Sequence, residues 1–520
     1  MATATDAPAS AQALRAALSG ALLVAAAGPV GAQALLVQPE VESTITITNN
    51  AAATPAEEAR SDTIISVNPR IHITSRGGRA TLEGTFGIEA VKYVNGTEDS
   101  VVRPRGSLGL RSQLVDRLLF LDASVTADTV SADPYAARPD TASSYNDYTQ
   151  LRYRFTPYIE RQLNPTLSLL ARTDHVITRR VGSSSASDPG GTDPARDAHE
   201  QQQLLRLEQM PRPFGWTAEL TRDSSRLRGA ADPTLTQTAA RLIGNYAVDP
   251  QLTLGVSVGR ENSKYSTIDR DDSIAGLRVN WRPNERGEVN LGLESRYFGV
   301  GGDFEWRQRS PYLGFALRAN RQPVAQSGSH LLGAAGDNVS SLLDGILTTR
   351  YPDAAQRSAV INDLIRQLNL PGTLVGPLEL YTSYAQLQSN VSLTGFLYGR
   401  LTTASATIFA RKRVRLVDLE DVLAPAALDS DNLQSGAEVD ISRRLTAVLS
   451  ADAGLRYARV KGLGASAGNA SRDATVRVGL TRQITPTTRV SAGLRYQTVN
   501  STVTNPSSET AIVASLLHRF

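Results

Sequence analysis

Cysteine is absent from the 520 residues, so the chain has no disulfide framework, thiolate nucleophile, Cys-ligated zinc or iron–sulfur cluster. Lysine is nearly absent too: of 54 basic residues only Lys92, Lys264, Lys412 and Lys461 are lysines. A GC-rich genome produces that ratio without any functional demand. Net charge is small. A balance of +3, spread along the chain, leaves no electrostatic footprint for a nucleic-acid partner. No apolar run reaches the ~20 residues of a spanning helix. With 41% hydrophobic residues, 20% charged and 40 Gly, the composition also argues against disorder, collagen or a coiled coil. The length allows about two to four ordinary domains or one very large closed β-structure.

The first 34 residues read as an export address. Arg15 precedes an apolar run from Ala16 to Ala27, Gly28 and Pro29 break it, and Ala32-Gln33-Ala34 offers an A-x-A cleavage site. These are the parts of a secretory signal peptide. The mature chain is then 35–520, and losing Asp6 together with Arg15 keeps its charge at +3.

From about Val41 onward the sequence alternates with period two. Val490, Ala492, Leu494 and Tyr496 interleave with Arg489, Ser491, Gly493 and Arg495, and Leu449 to Tyr457 and Val289 to Tyr297 do the same. In a soluble sandwich large residues would fill the apolar faces, but here those faces carry many alanines. A transmembrane antiparallel β-barrel accounts for the pattern, because its outside meets lipid and its lumen meets water. Short turns, such as Gly77-Gly78, Asp116-Arg117, Asn164-Pro165 and Thr485-Pro486, alternate with longer polar loops such as Ser131 to Ser143 and Val417 to Asn432. Starting from a periplasmic N-terminus, the count comes to about 22 strands, within a range of roughly 18 to 24. The least certain stretch, Asp303 to Arg321, divides at Arg309-Ser310-Pro311, because Pro favours turns and edges. Tyr93, Tyr265, Tyr297, Tyr457 and Tyr496 fall near the long-loop ends of strands, where an aromatic girdle belongs. The chain closes on Ile512, Ala514, Leu516, His518 and Phe520 at alternate positions, which resembles the C-terminal signal read by the bacterial barrel-insertion machinery.

The period changes between 322 and 377. Leu342, Leu343, Ile346 and Leu347, then Val360, Ile361, Leu364, Ile365 and Leu368, follow helical spacing on either side of Tyr351-Pro352. Asp337 or Asn338 caps the first helix and Leu370-Pro371-Gly372 ends the second. This predicts a helical hairpin inserted in one loop, on the outer side by strand parity. It is either a plug or docking element, or a compact loop that shields its own apolar face.

Catalytic and metal constellations are missing from the sequence. Gly464 to Gly468 matches G-x-S-x-G, but a nucleophile elbow needs a strand before it and a helix after it, and this match lies in a loop between strands. His72, His175, His199, His330 and His518 lack metal-ligand spacing. Asp269, Asp271 and Asp272, and likewise Asp418, Glu420 and Asp421, read as solvated loop charges rather than cation ligands. No phosphate-cradling loop or other cofactor motif appears, and no enzyme is expected. Alternation points Arg152, Arg154, Arg278, Arg282, Arg296, Arg456, Arg477, Arg489 and Arg495 into the lumen. Such arginines either favour anionic solutes or pair with carboxylates such as Glu294 and Asp452 in ladders.

Four segments carry a family resemblance: IISVNPRIHITSRGGRATLEGTFGIEAVKY from Ile64, ESRYFG from Glu294, the helical insert ending in NLPG, and LQSNVSLTGFLYGRLTTASATIFARKR from Leu387. With this layout the chain resembles the exosortase/PEP-CTERM system-associated outer-membrane barrels. That resemblance implies association with polysaccharide synthesis and export, with polysaccharide or export-system components as partners besides outer-membrane lipid. It supplies no catalytic residues. The expectation is therefore a channel or scaffold in the outer membrane of a Gram-negative bacterium. A porin-like diffusion channel and a structural or adhesive barrel with a blocked lumen are the alternatives, and an outer-membrane hydrolase is less favoured. Too few residues precede the first strand for the plug domain of a TonB-dependent receptor.

Overall fold

A computed structural model describes residues 35–131, 134–136, 147–181, 198–227, 234–265, 268–324, 343, 347, 351, 356–357, 360–361, 386–416 and 431–520. The proposed signal peptide, His330, Asp418, Glu420 and Asp421 lie outside them, as does the side chain of Tyr265. The described chain is almost entirely strand. In order the strands are β1 (Leu36–Thr48), β2 (Asp62–Arg76), β3 (Ala80–Tyr93), β4 (Val101–Val115), β5 (Leu119–Ser131), β6 (Asp147–Gln162), β7 (Leu167–Val181), β8 (Ala198–Gln209), β9 (Phe214–Leu227), β10 (Thr234–Ala247) and β11 (Leu252–Tyr265). There follow β12 (Ile268–Asn284), β13 (Gly287–Arg296), β14 (Gly299–Arg309), β15 (Leu313–Val324), β16 (Gln386–Tyr398), β17 (Thr402–Arg415), β18 (Asn432–Arg444), β19 (Leu449–Gly462), β20 (Ala470–Gln483), β21 (Thr488–Ser501) and β22 (Ser507–Arg519).

Each strand pairs antiparallel with the next, and β1 pairs with β22, closing a 22-stranded barrel. Closure leaves no unpaired edge, the condition for crossing a bilayer with strands. Ion pairs brace the seam: Arg70 contacts Glu40 and, at 3.2 Å, Glu42, while Arg519 lies 3.3 Å from Glu40. The Phe520 N–H donates to the Pro39 carbonyl at 3.0 Å.

The two ends differ in their connections. Turns after even-numbered strands are two to four residues long, whereas those after odd-numbered strands reach 61 residues at 325–385. Small side chains close the tight turns. The Asn164 side-chain oxygen accepts from the N–H groups of Thr166 and Leu167, Asp249 does the same for Gln251 and Leu252, and Thr446 for Val448 and Leu449. This is how Asx and Ser/Thr turns replace backbone partners. Both strand termini, Leu36 and Arg519, lie at the turn end, as an even strand number requires.

Proline does divide β14 from β15 at Pro311, but Pro39, Pro69, Pro104 and Pro157 sit inside strands. The pairing of β2 with β3 skips Pro69, and that of β6 with β7 skips Pro157. A closed barrel offers no edge to host such residues, so each ladder gives up bonds locally and resumes in register.

Register assigns the faces. Ile45, Ile47, Leu254, Val256, Val258, Leu277, Leu455, Val476, Val478 and Leu494 point outward and are exposed, forming the apolar belt of a membrane-spanning barrel. Ile512, Ala514, Leu516 and His518 share that outward face on β22, opposite outward Ile47, Ile45, Ser43 and Val41 of β1. Phe520 is exposed, with the His518 ring edge-on at 4.8 Å.

The aromatic girdle departs from the expectation. Phe214, Trp216, Tyr246, Trp281, Trp306 and Tyr312 are exposed at the turn end, and at the loop end Tyr457 and Tyr496 face outward. Tyr93 and Tyr297 do not. Tyr93 lies on the inner face and packs with Ala51, Ile64 and Val91, because the β1–β2 connection folds back over that part of the wall. The Tyr297 hydroxyl accepts from Gln237 at 2.6 Å.

Candidate functional site

The site is the lumen. Register puts Arg152, Arg154, Arg278, Arg296, Arg456, Arg477, Arg489 and Arg495 on one continuous inner face with Glu261, Glu294 and Asp452. Arg282 lies at the turn end beside the irregularity in the β12–β13 pairing, 3.5 Å from Glu288.

Carboxylates answer most of these arginines. The Arg296 guanidinium donates to Glu261 at 2.8 Å through Nε, and the Tyr297 N–H donates to the other carboxylate oxygen at 3.1 Å. Arg495 lies 2.7 Å from Glu509, with both side chains buried. Arg477 reaches Glu438 at 3.1 Å and Asp440 at 3.3 Å. Arg154 is 3.9 Å from Asp174, and Glu200 interacts electrostatically with both Arg152 and Arg154. Arg456 stands directly opposite Glu438 in the ladder, and Arg489 opposite Gln483 and Leu517.

Arg278 belongs to a longer chain of contacts that alternation alone did not reveal. Arg206–Glu219 at 2.8 Å, Glu219–Arg241 at 3.6 Å, Arg241–Glu294 at 3.2 Å and Glu294–Arg278 at 3.8 Å link β8, β9, β10, β13 and β12. Alternation does not mark Arg241, because its neighbours on the inner face of β10 include Leu235, Ala239 and Ile243, which hides the period. Glycines make room for such crossings. A Cβ on Gly454 would stand 2.7 Å from the Asp440 carboxylate and 3.2 Å from Arg477 Nε, the two groups that bond across it. Beside this network lies a cavity of 360 Å³ lined by Arg154, Glu200, Asp223, Gln237, Arg296 and Asp303 among others. Asp223 Oδ1 and Ser225 Oγ, two of its polar atoms, have no hydrogen-bond partner among the described residues.

The inner wall of β16–β18 is chemically different. Gln386, Gln388, Asn390, Ser392 and Thr394 face inward on β16, Arg411 and Arg413 on β17, and Asn432 and Gln434 on β18. All are buried, Arg413 and Gln434 to 1% exposure. Asn390 accepts from Arg411 Nε at 2.8 Å and from Gln388 at 3.1 Å, and donates to Asn320 at 2.7 Å. Phe396 and Phe409 are buried in the same wall, and the Phe409 ring covers Gly436, leaving no room there for a Cβ. A lumen wall facing only water would not be buried to this degree, so protein covers it.

Described parts of two connections are also buried. Leu343, Leu347 and Ile361 of the 325–385 connection are helical and at most 3% exposed. The Tyr351 N–H donates to the Leu347 carbonyl at 2.8 Å, a helical bond, and the Tyr351 carbonyl accepts from Arg357 at 2.8 Å. β15 runs through Val324 and β16 begins at Gln386, so this connection is longer than the 322–377 stretch with helical spacing. From the β5–β6 connection, Tyr135 and Ala136 are buried, and the Tyr135 carbonyl accepts from Ser501 Oγ at 2.6 Å. Five strands separate β5 from β21 around the barrel, so this segment crosses the mouth.

The remaining motifs fall elsewhere. G-x-S-x-G forms a short 3-10 turn at Gly464–Ser466, followed by strand β20 rather than a helix. Asp269, Asp271 and Asp272 lie in strand β12, not in a loop, so Asp272 faces away from the other two. Asp269 pairs with Lys264 at 2.9 Å. Among the described residues no group of three or more metal-ligating side chains comes together.

No family model and no curated protein matches the chain. Solved structures do match in shape. The FrpB iron transporter from Neisseria meningitidis (F5-1 variant, apoprotein form) is 10% identical, with a TM-score of 0.50 over 93% of this chain and 81% of that one. A mutant of the ferric enterobactin receptor PfeA from Pseudomonas aeruginosa is 10% identical, with a TM-score of 0.44 over 93% and 80%. The siderophore receptor PirA from Acinetobacter baumannii is 10% identical, with a TM-score of 0.44 over 94% and 81%. At such identity the likeness to FrpB is one of fold: this chain is a 22-stranded barrel of the outer-membrane kind.

Proposed function

We propose that the chain is an outer-membrane conduit for a hydrophilic polymer of the cell envelope, with the 325–385 connection as its stopper. Residues 1–34 would direct export, and the strand ending at Phe520 would be read by the barrel-insertion machinery. The observation that carries the reading is the covered wall of β16–β18. Its amides, hydroxyls, two arginines and two phenyl rings suit a neutral, hydroxyl-rich chain, which takes hydrogen bonds on its edges and apolar contact on its faces. Elsewhere in the lumen most of the named arginines have a carboxylate in reach, so the interior lacks the unbalanced field of an anion-selective pore. The resemblance to exosortase/PEP-CTERM-associated barrels supports polysaccharide as the cargo.

Planar-bilayer recordings of the refolded protein test this, with and without residues 327–383, a deletion that leaves β15 and β16 whole and joined by four residues. The intact chain is expected to conduct little, and the deletion to conduct steadily, with neutral polysaccharide fragments blocking the current. Silence in both forms would overturn the conduit and leave a structural barrel. Conduction that no fragment blocks would favour a simple diffusion pore.

A further inference from the structure

All four lysines of the chain lie on the outward face at the loop end. Lys92 stands opposite outward Ile65, and Lys264 opposite outward Asp269. Lys412 and Lys461 flank outward Leu433 in a single row. One row nearer the membrane, Arg459 of β19 stands directly opposite Arg472 of β20, with Ser435 and Asn500 on either side. The next row toward the belt holds Tyr457, exposed like Leu455 and Val476 below it. The four cations Lys412, Arg459, Lys461 and Arg472 therefore begin where the apolar belt ends.

Two features make this cluster unusual. Like charges directly opposite each other on one sheet face destabilise the pairing, and Arg459 and Arg472 are so placed with no ion pair among the described residues. Moreover, the outward positions of β17, β18, β19 and β20 hold no Asp or Glu at all. At the rim of β11 and β12, by contrast, Lys264 is paired with Asp269, and Asn262 bridges Asp269 and Asp271 at 2.9 and 2.8 Å. One rim is internally neutralised, whereas the other holds no ion pair among the described residues. A cation on the lipid face is costly at the bilayer midplane and nearly free at the interface, which places these four side chains at headgroup level.

We propose that the outward face of β17–β20 at the loop end binds the phosphate groups of an outer-leaflet lipid headgroup. A phosphate held between Arg459 and Arg472 converts their repulsion into two charge-assisted bonds, for which guanidinium geometry is suited. Lys412 and Lys461, compact and well hydrated, attract the anion from the water side. The inference rests on the barrel crossing the membrane with its loops outside, and it is independent of the cargo.

The test uses the full-length mature protein in nanodiscs of phosphatidylcholine doped with bis-phosphorylated lipid A or with its dephosphorylated form, retained lipid being counted by native mass spectrometry. The wild type is expected to keep phosphorylated lipid A and release the dephosphorylated form. Arg459→Gln with Arg472→Gln should weaken retention roughly tenfold for each arginine, the scale of one charge-assisted bond. Lys92→Gln with Arg260→Gln, elsewhere on the rim, should leave retention unchanged. Arg459→Lys with Arg472→Lys keeps the charge and should keep most of the binding, so a loss through misfolding is distinguishable by heat-modifiable mobility. Equal retention of both lipids, or no loss in the Gln variant, would overturn the proposal. Displacement of the lipid by an equal concentration of inorganic phosphate would also overturn it, in favour of a free-anion site.

Discussion

Two stretches of the same inner wall solve the problem of polar side chains in different ways. From β8 to β13 the wall neutralises itself: Arg206, Glu219, Arg241, Glu294 and Arg278 form one alternating chain beside an open cavity. From β16 to β18 the wall is built of amides, hydroxyls and arginines that bond in part to one another, and it is buried under protein. The difference teaches that a barrel lumen can neutralise itself on one side while the other side is covered by protein. An ionic ladder holds its members in place because each is costly to strand. An amide wall exchanges one hydrogen-bonding partner for another at little net cost.

Substitutions sharpen this contrast. The largest effect is expected from Glu261→Ala, which removes the carboxylate that Arg296 donates to, at a position where that carboxylate is 1% exposed. Breaking such a buried pair costs about 3–5 kcal/mol, measurable as a shift of the urea midpoint for unfolding from liposomes. Asn390→Ala on the amide wall removes an acceptor from Arg411 and a donor to Asn320, and about 1–3 kcal/mol should be lost in the same measurement. If the two variants lose equal stability, the contrast between the walls fails. Glu438→Gln should have the smallest effect, at most about 1 kcal/mol, because Arg477 is 43% exposed and keeps Asp440 at 3.3 Å.

Much of the barrel was legible in the sequence because its rule is local. A strand between lipid and water must alternate, so Leu449 to Tyr457 and Val289 to Arg296 announce their faces without any knowledge of neighbours. The division at Arg309-Ser310-Pro311 was visible for the same reason, since a turn residue interrupts the period. What escaped depends on contacts distant in sequence. Tyr93 looked like a girdle residue, but Ala51 and Ile64 draw it inward. Arg241 was hidden among apolar neighbours, and its role appears only once Glu219 and Glu294 arrive from other strands. Arg411 and Arg413 do alternate around Lys412, and that signal could have marked the second wall. The crossing of the mouth by Tyr135 to Ser501 has no sequence signal, because a loop's partner is set by closure of the whole ring.

The chain has no native cysteine, which makes the covered wall directly measurable. Asn390→Cys on β16 and Asn290→Cys on β13, each as the single thiol, would be treated in proteoliposomes with a membrane-impermeant maleimide. The account predicts slow labelling at 390 and fast labelling at 290, with 390 becoming fast once residues 327–383 are deleted. Equal, rapid labelling at both positions in the intact protein would contradict it.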